Sequence, residues 1–219
     1  MNLVVTCGPA REPVDTTRSL TNHSTGRLGT LLAAAFRARG HRVTLLRGEG
    51  ATFAIADLDP SIRVIPFETN GDLERALTVL ADEENVDAVF HAAALCDFGV
   101  AEIRDAAGTP APAGKLPSRS EGYSLILKPL PKLIHRLRAL FPAAFLAGWK
   151  YETEGGREQI VALGLRQLEE GRTDLSVLNG AGYGSGYGLL RPDGTVEAAS
   201  DSAALAEALT AALERRFGG

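Results

Sequence analysis

The stretch TNHSTGRLG (Thr21–Gly29) lies between a short apolar run ending at Cys7 and a segment of helical spacing that starts at Leu28. Upstream, NLVVTC (Asn2–Cys7) is apolar enough for a buried strand and closes in the turn Gly8-Pro9. Downstream, Leu28, Leu31, Leu32, Ala35 and Phe36 follow helical spacing until Gly40 stops the helix. Small hydrogen-bonding residues at such a strand-to-helix crossing offer backbone amides and a positive dipole end, which suit a phosphate. The stretch contains neither G-x-G-x-x-G nor G-x-x-x-x-G-K-[ST], so those fingerprints do not name the anion.

The same alternation continues along the chain. His41–Leu46, Ile62–Phe67 and Val86–Leu95 read as strands, and Asp72–Glu84 as a helix with Leu73, Leu77 and Leu80 on one face. Tyr123–Lys128, Ala144–Lys150 and Thr173–Asn179 read as further strands, with helices at Lys132–Leu140 and Glu154–Glu170. Pro192-Asp193-Gly194 turns a C-terminal hairpin, and Ser200 is the expected cap of a last helix carrying Leu205, Leu209 and Leu213. The expectation is one α/β domain over residues 1–219: a doubly wound, Rossmann-like parallel sheet with a C-terminal β-hairpin and helix. Residues 97–122 mix Gly, Pro, Ala and charges without period and read as a long lid loop, poorly ordered without ligand.

Composition narrows the function classes. The chain has 219 residues and a formal net charge of −4, which argues against nucleic acid as a partner. No run approaches a membrane span, and the first strand begins too early for a leader, so a cytoplasmic location is expected. Two cysteines fit a reducing compartment and do not make a metal site, so no protein-held metal is expected.

In a doubly wound sheet the first and fourth strands are expected as neighbours, with the ligand crevice at their carboxyl ends. Those ends are Thr6–Pro9 and Ala92–Asp97, which also brings Cys7 and Cys96 into the same region. Small buried hydrophobes are the preferred reading for both cysteines. Each feature has a plain structural alternative: Gly26 and Gly29 for packing, Ala92–Ala94 as core, Lys115 as a solvated cation. His41, His91 and His135 receive no functional role. Convergence of the others on one crevice favours a site.

TCGPAREPVDTTRSLTNHSTGRLG (Thr6–Gly29) resembles the opening motif of the phosphopantothenoylcysteine synthetase (phosphopantothenate–cysteine ligase) family, roughly T-A-G-[GP]-T-x-E-P-I-D-x-V-R-x-I-[ST]-N-x-S-S-G-x-M-G. This family is the synthetase half of the DNA/pantothenate metabolism flavoproteins. HAAALCDF, AGWKYET and TDLSVLN resemble its later landmarks in order, so the resemblance covers essentially the whole chain. It implies a ligase in coenzyme A biosynthesis that joins 4'-phosphopantothenate to cysteine through an acyl-nucleotidylate, driven by CTP or ATP with Mg²⁺. By this resemblance Asn22 and Lys115 are catalytic, with Asn22 bonding the acyl intermediate. Gly8, Ser24, Gly26, Gly29, Asp97, Lys115, Trp149 and Asn179 meet the nucleotide, and Asn22, Ala93, Ala94 and Asp97 meet the acid. A homodimer through the hairpin around Gly186–Ala198 is also implied. The flavin decarboxylase half that many relatives carry is not expected here, nor is flavin.

The departures fall on the nucleotide side. The family's K-x-K-K is here Gly114-Lys115-Leu116-Pro117, with Arg119 nearby, and its P-x-P-D-I is Pro129-Leu130-Pro131-Lys132-Leu133. The lysine pair expected before the sixth strand is absent, with Arg166 and Arg172 near. A diverged paralogue on another acid and a nucleotide sensor therefore stand as alternatives. A short-chain-reductase-like NAD(P)-binding protein is a third, opposed by the lack of a Tyr-x-x-x-Lys relay and of the three-glycine turn.

Overall fold

The computed structural model describes residues 1–111 and 114–218. In chain order it has β1 (Asn2–Cys7), β2 (Arg11–Pro13), β3 (Ser19–Thr21), α1 (Arg27–Ala38), β4 (Arg42–Gly48), β5 (Arg63–Phe67), α2 (Asn70–Glu83) and β6 (Ala88–His91). Next come β7 (Phe98–Asp105), β8 (Tyr123–Pro129), α3 (Ile134–Leu140), β9 (Phe145–Tyr151), α4 (Arg157–Gly171), β10 (Leu175–Asn179), β11 (Tyr187–Leu190), β12 (Val196–Ala199) and α5 (Ser202–Phe217). The main sheet runs β12-β11-β10-β9-β6-β1-β4-β5; β11 pairs antiparallel with both β10 and β12, and the other neighbours pair in parallel. From β1 the chain winds outward through β4 and β5, then returns to place β6 on the other side of β1. That reversal opens a crevice between β1 and β6, as the strand alternation predicted.

Alternation along β1 divides the core. Leu3, Val5 and Cys7 face a cluster with Leu32 and Phe36 of α1 and Leu205 and Leu209 of α5. Val4 faces the opposite cluster, with Leu73 and Leu77 of α2 and Leu137 of α3. Cys7 and Cys96 belong to opposite clusters, which corrects the expected proximity of the two thiols: they sit on different faces of the sheet.

Three further expectations change. Residues 97–122 are not one loop, because Phe98–Asp105 pairs antiparallel with Tyr123–Pro129 in a separate two-stranded ribbon. Tyr123–Lys128 is thus a ribbon strand and not part of the main sheet. Within the remaining lid, Leu116 is buried and its N–H donates to Asp15 Oδ2 at 3.1 Å, while Pro112 and Ala113 lie outside the described residues. The fourth strand is shorter than Val86–Leu95, although Ala94 continues as a single parallel bridge beside Pro9. The cap of α5 is Asp201 and not Ser200: its Oδ1 accepts from Ala203 N and Ala204 N, both at 2.9 Å, which a hydroxyl does less strongly.

The crossing from β1 to α1 depends on close approach. Gly26, before α1, adopts φ 74°, and a methyl there would stand 2.8 Å from Ala51 Cβ. A methyl at Gly29 would overlap Cys7 Cβ and lie 3.2 Å from the Thr6 carbonyl oxygen. We expect Gly29→Ala to lower unfolding stability by about 1–3 kcal/mol through forced separation of α1 from β1. Urea unfolding of both proteins measures this, and an unchanged midpoint would refute the close-approach argument.

A second buried contact fixes the end of β6. Ala93 N donates to Thr6 Oγ1 at 3.1 Å, and Thr6 Oγ1 lies 3.0 Å from His91 Nδ1. The imidazole is neutral, and its tautomer sets which of Thr6 Oγ1 and His91 Nδ1 donates. Burial pushes the His91 pKa from 6.5 down to about 4. Between those values the unfolded chain takes up a proton that the native protein refuses, so stability falls as pH drops from 6.5 towards 4. That shift corresponds to roughly 3 kcal/mol, and stability is level with respect to this group above pH 6.5. Burial lowers His41 in the same direction. Urea titrations at pH 7 and 4.5 should show the loss, with a smaller loss in His91→Asn.

Candidate functional site

At the carboxyl ends of β1 and β6 lies a cavity of about 210 Å³, lined by Cys7, Gly8, Ser24 through Gly29, Leu31, Ala92, Tyr187 and Ser202. No carboxylate lines it. The first turn of α1 supplies amides without acidic side chains, and its dipole adds positive potential. Arg27 is the first residue of that helix, and its side chain makes no ion pair or hydrogen bond among the described residues. Burial pushes the Cys7 thiol up to about 11, so it is a packing group and not a nucleophile at neutral pH.

Arg27, Tyr187 and Ser202 also border a neighbouring cavity of about 410 Å³, which extends to Tyr151, Asn179 and Asp201. Together the two hollows form a cleft from the glycine turn to the ends of β9 and β10. Asn179 Oδ1 is buried without a hydrogen-bond partner among the described residues, an acceptor that a ligand donor would satisfy. Tyr151 pairs in register with Asn179 and is 63% exposed, giving the cleft an aromatic wall.

On the other side of Ser24 and Thr25 is a third hollow of about 520 Å³, bordered by Arg11, Thr21, Asn22, His23 and Thr52. Asn22 Nδ2 donates to the Leu95 carbonyl at 2.6 Å, which ties the loop to the end of β6. One Nδ2 hydrogen and Oδ1 remain for another partner.

The residues singled out by sequence thus fall into two groups. Gly8, Ser24, Gly26 and Gly29 share the first cavity, Asn179 borders its extension, and Asn22 stands across the loop wall. Ala93 and Ala94 flank the crevice with their amides engaged by Thr6 Oγ1 and the Gly8 carbonyl. Asp97, Trp149 and Lys115 border none of these hollows. Asp97 pairs with Lys132 at 3.4 Å, and Trp149 packs against the core with its Nε1 buried and unpartnered. Lys115 precedes Leu116, which Asp15 holds near the β2–β3 hairpin. Sequence reasoning passed over Arg11, Arg27, Tyr151, Tyr187 and Ser202. Only Arg27, between two helix-start glycines, carried a local signal.

The chain is 31% identical over 180 residues to the coenzyme A biosynthesis bifunctional protein CoaBC of Thermococcus kodakarensis, covering 81% of this chain and 40% of that protein. CoaBC of Bacillus subtilis is 29% identical over 189 residues, covering 84% and 42%. The chain therefore spans about two fifths of these relatives' length. The fold matches the DNA/pantothenate metabolism flavoprotein of Streptococcus pneumoniae with a TM-score of 0.86 at 20% identity, covering 98% of this chain and 99% of that one. A Cab2 variant in complex with phosphopantothenate-cysteine matches at a TM-score of 0.78 and 17% identity, covering 99% and 87%. The match to the DNA/pantothenate metabolism flavoprotein C-terminal domain runs over residues 1–208, and the chain belongs to that family.

Proposed function

We propose that the chain is a phosphopantothenate–cysteine ligase that activates its acid with CTP or ATP. The observation that carries this reading is the acid-free cavity of Gly8, Gly26 and Gly29 at the start of α1, with Asn22 on the adjoining wall. The carboxylate oxygen of the acid attacks the α-phosphorus, and the bond to the leaving pyrophosphate breaks. The amine of cysteine then attacks the acyl carbon, loses a proton, and displaces the nucleoside monophosphate as the amide forms. The cavity's amides suit the triphosphate, and Tyr151 and Asn179 border the space for the nucleoside. Among the described residues no three His, Cys, Asp or Glu converge on a metal position. In this reading Mg²⁺ would arrive on the triphosphate, whose oxygens are hard ligands, and would offset phosphate charge. Asn22 is the donor to the acyl oxygen as negative charge develops there.

Replacing that donor with a carboxylate separates chemistry from binding. Asn22→Asp should slow amide formation by about 10²–10³-fold, with nucleotide affinity little changed. Single-turnover assays with phosphopantothenate, cysteine and each triphosphate, following pyrophosphate and amide separately, test this. No pyrophosphate from the wild-type protein with any triphosphate would remove the ligase reading.

A second copy of the chain is the partner in this reading. The C-terminal hairpin expected to carry the interface already buries Leu189 and Leu190 within its own chain. The β7–β8 ribbon instead leaves Phe98, Leu125, Ile126 and Leu127 exposed, and a two-stranded ribbon is marginal alone in water. Sedimentation should give twice the 23.1 kDa chain mass, and Ile126→Glu should give the monomer. A monomeric wild type at tens of micromolar would exclude this partner.

A further inference from the structure

Amide formation needs a group that takes a proton, because a protonated amine has no lone pair with which to attack an acyl carbon. The cavities around the crevice offer few such groups. Beside the glycine turn, burial pushes the Cys7 thiol up to about 11, and Arg27 cannot accept a proton. In the extension, bonds from Ala204 N and Ala203 N hold the Asp201 carboxyl below the usual carboxylate range. Tyr151 and Tyr187 bring phenols, which are poor bases. The hollow of about 520 Å³ beside Asn22 has two ionisable side chains in its lining among the described residues, Arg11 and His23. A guanidinium accepts no proton, which leaves the imidazole, the side chain suited to proton transfer between pH 5 and 8.

The loop fixes the backbone on both sides of His23 and leaves its ring free. Before it, Thr21 Oγ1 donates to the Ala10 carbonyl at 2.7 Å, and Asn22 Nδ2 to the Leu95 carbonyl at 2.6 Å. After it, Phe53 N donates to the Thr25 carbonyl at 3.0 Å. The His23 side chain is exposed and makes no hydrogen bond or ion pair among the described residues. The other walls of the hollow include Arg11 of β2 and, from the turn after β4, Gly50 and Thr52; of these Arg11 alone is charged. Arg11 also borders the hollow lined by Asp15 and Glu68.

We propose that His23 is the general base of amide formation. This rests on the ligase reading for the reaction itself. The amine nitrogen of cysteine attacks the acyl carbon, the carbonyl π pair moves onto the oxygen held by Asn22, and His23 takes the proton from nitrogen. The oxygen's electron pair then returns, the bond from carbon to the nucleotide's phosphate oxygen breaks, and the nucleoside monophosphate leaves. The imidazolium gives its proton to solvent, so the next turnover starts with a neutral base. Asn22 and His23, adjacent in the chain, thus serve the two ends of one step: charge on oxygen and proton on nitrogen.

The test follows pyrophosphate and amide separately in single turnovers of wild type and His23→Gln, with phosphopantothenate, triphosphate and cysteine. His23→Gln should slow amide formation by about 10²–10⁴-fold. Pyrophosphate release precedes the proton transfer and should stay within about twofold. Wild-type amide formation should slow as pH drops through the imidazole range, and that inflection should vanish in His23→Gln. Hydroxylamine in place of cysteine separates a base from a packing group, because it is a nucleophile that is largely unprotonated at neutral pH. Hydroxamate should form from the acyl-nucleotidylate equally fast in both proteins. Equal slowing of hydroxamate and amide would make His23 a positioning residue and overturn the assignment. Normal pyrophosphate release with amide formation unchanged in His23→Gln would remove His23 alone, whereas no pyrophosphate from the wild type with any triphosphate would remove the ligase reading and the base with it.

Discussion

The contact between Gly29 of α1 and Cys7 of β1 sets the position of everything around the crevice. Because no side chain separates them, the helix start can lie against the strand end and turn its unpaired amides towards the space beside β6. The same crowding draws in the turn after β4, where Ala51 packs against Gly8 and Gly26. Arg47 holds that turn, with Nη2 donating to the Ala51 and Phe53 carbonyls at 2.8 and 2.7 Å. The glycine turn of the cavity is thus buttressed by close contacts from the turn after β4.

Charge is distributed with the same economy. Several arginines are occupied within the structure: Arg138 meets Asp174 at 2.6 Å and nearby carbonyls, Arg63 meets Glu84, and Arg191 meets Glu197. Arg11 and Arg27 are not, and they stand on opposite sides of one loop. In a chain with a net charge of −4 the overall field does not attract anions, so local cations and amides must do so. Arg27 borders the acid-free first cavity and also the extension that holds Asp201, while Arg11 lies between an acid-free hollow and one lined by Asp15 and Glu68.

What was legible in the sequence was what contiguous residues decide. Asn2–Cys7, the glycine turn and α1 form one unit, and its small residues report the close approach directly. The neighbourhood of β1 and β6 followed from the alternation, because a doubly wound sheet reverses its winding beside the first strand. The β7–β8 ribbon was not legible: its partners are far apart in sequence, and glycines, prolines and charges at 97–122 conceal the periodicity of a strand outside the sheet. Trp149 and Tyr151 show the same limit on a smaller scale. Both lie on β9 in a motif-like setting, yet the one nearer the strand centre packs into the core and the one at its end reaches the cleft. Tyr187 and Ser202 enter the cleft only because the C-terminal hairpin extends the sheet next to β10 and returns α5 to lie over α1.

The changed positions also make physical sense as a set. Lys132 occupies the place where the resembling motif has an acid, and it pairs with Asp97 across the foot of the ribbon. Both groups are well exposed, so the pair contributes little to stability. Its effect is on the local field: Asp97 brings its negative charge to the end of β6 together with a cation. At the hairpin tip Asp15 behaves in the opposite manner. Its side chain is 1% exposed and accepts from Thr17, Arg18 and Leu116, which hold its carboxyl well below the usual carboxylate range. That carboxylate is neutralised where it stands and fastens the segment after Lys115 to the hairpin that carries Arg11. Asp97 and Asp15 are thus engaged by donors of their own chain, as is Asp201 at the border of the cleft, whose carboxylate caps α5.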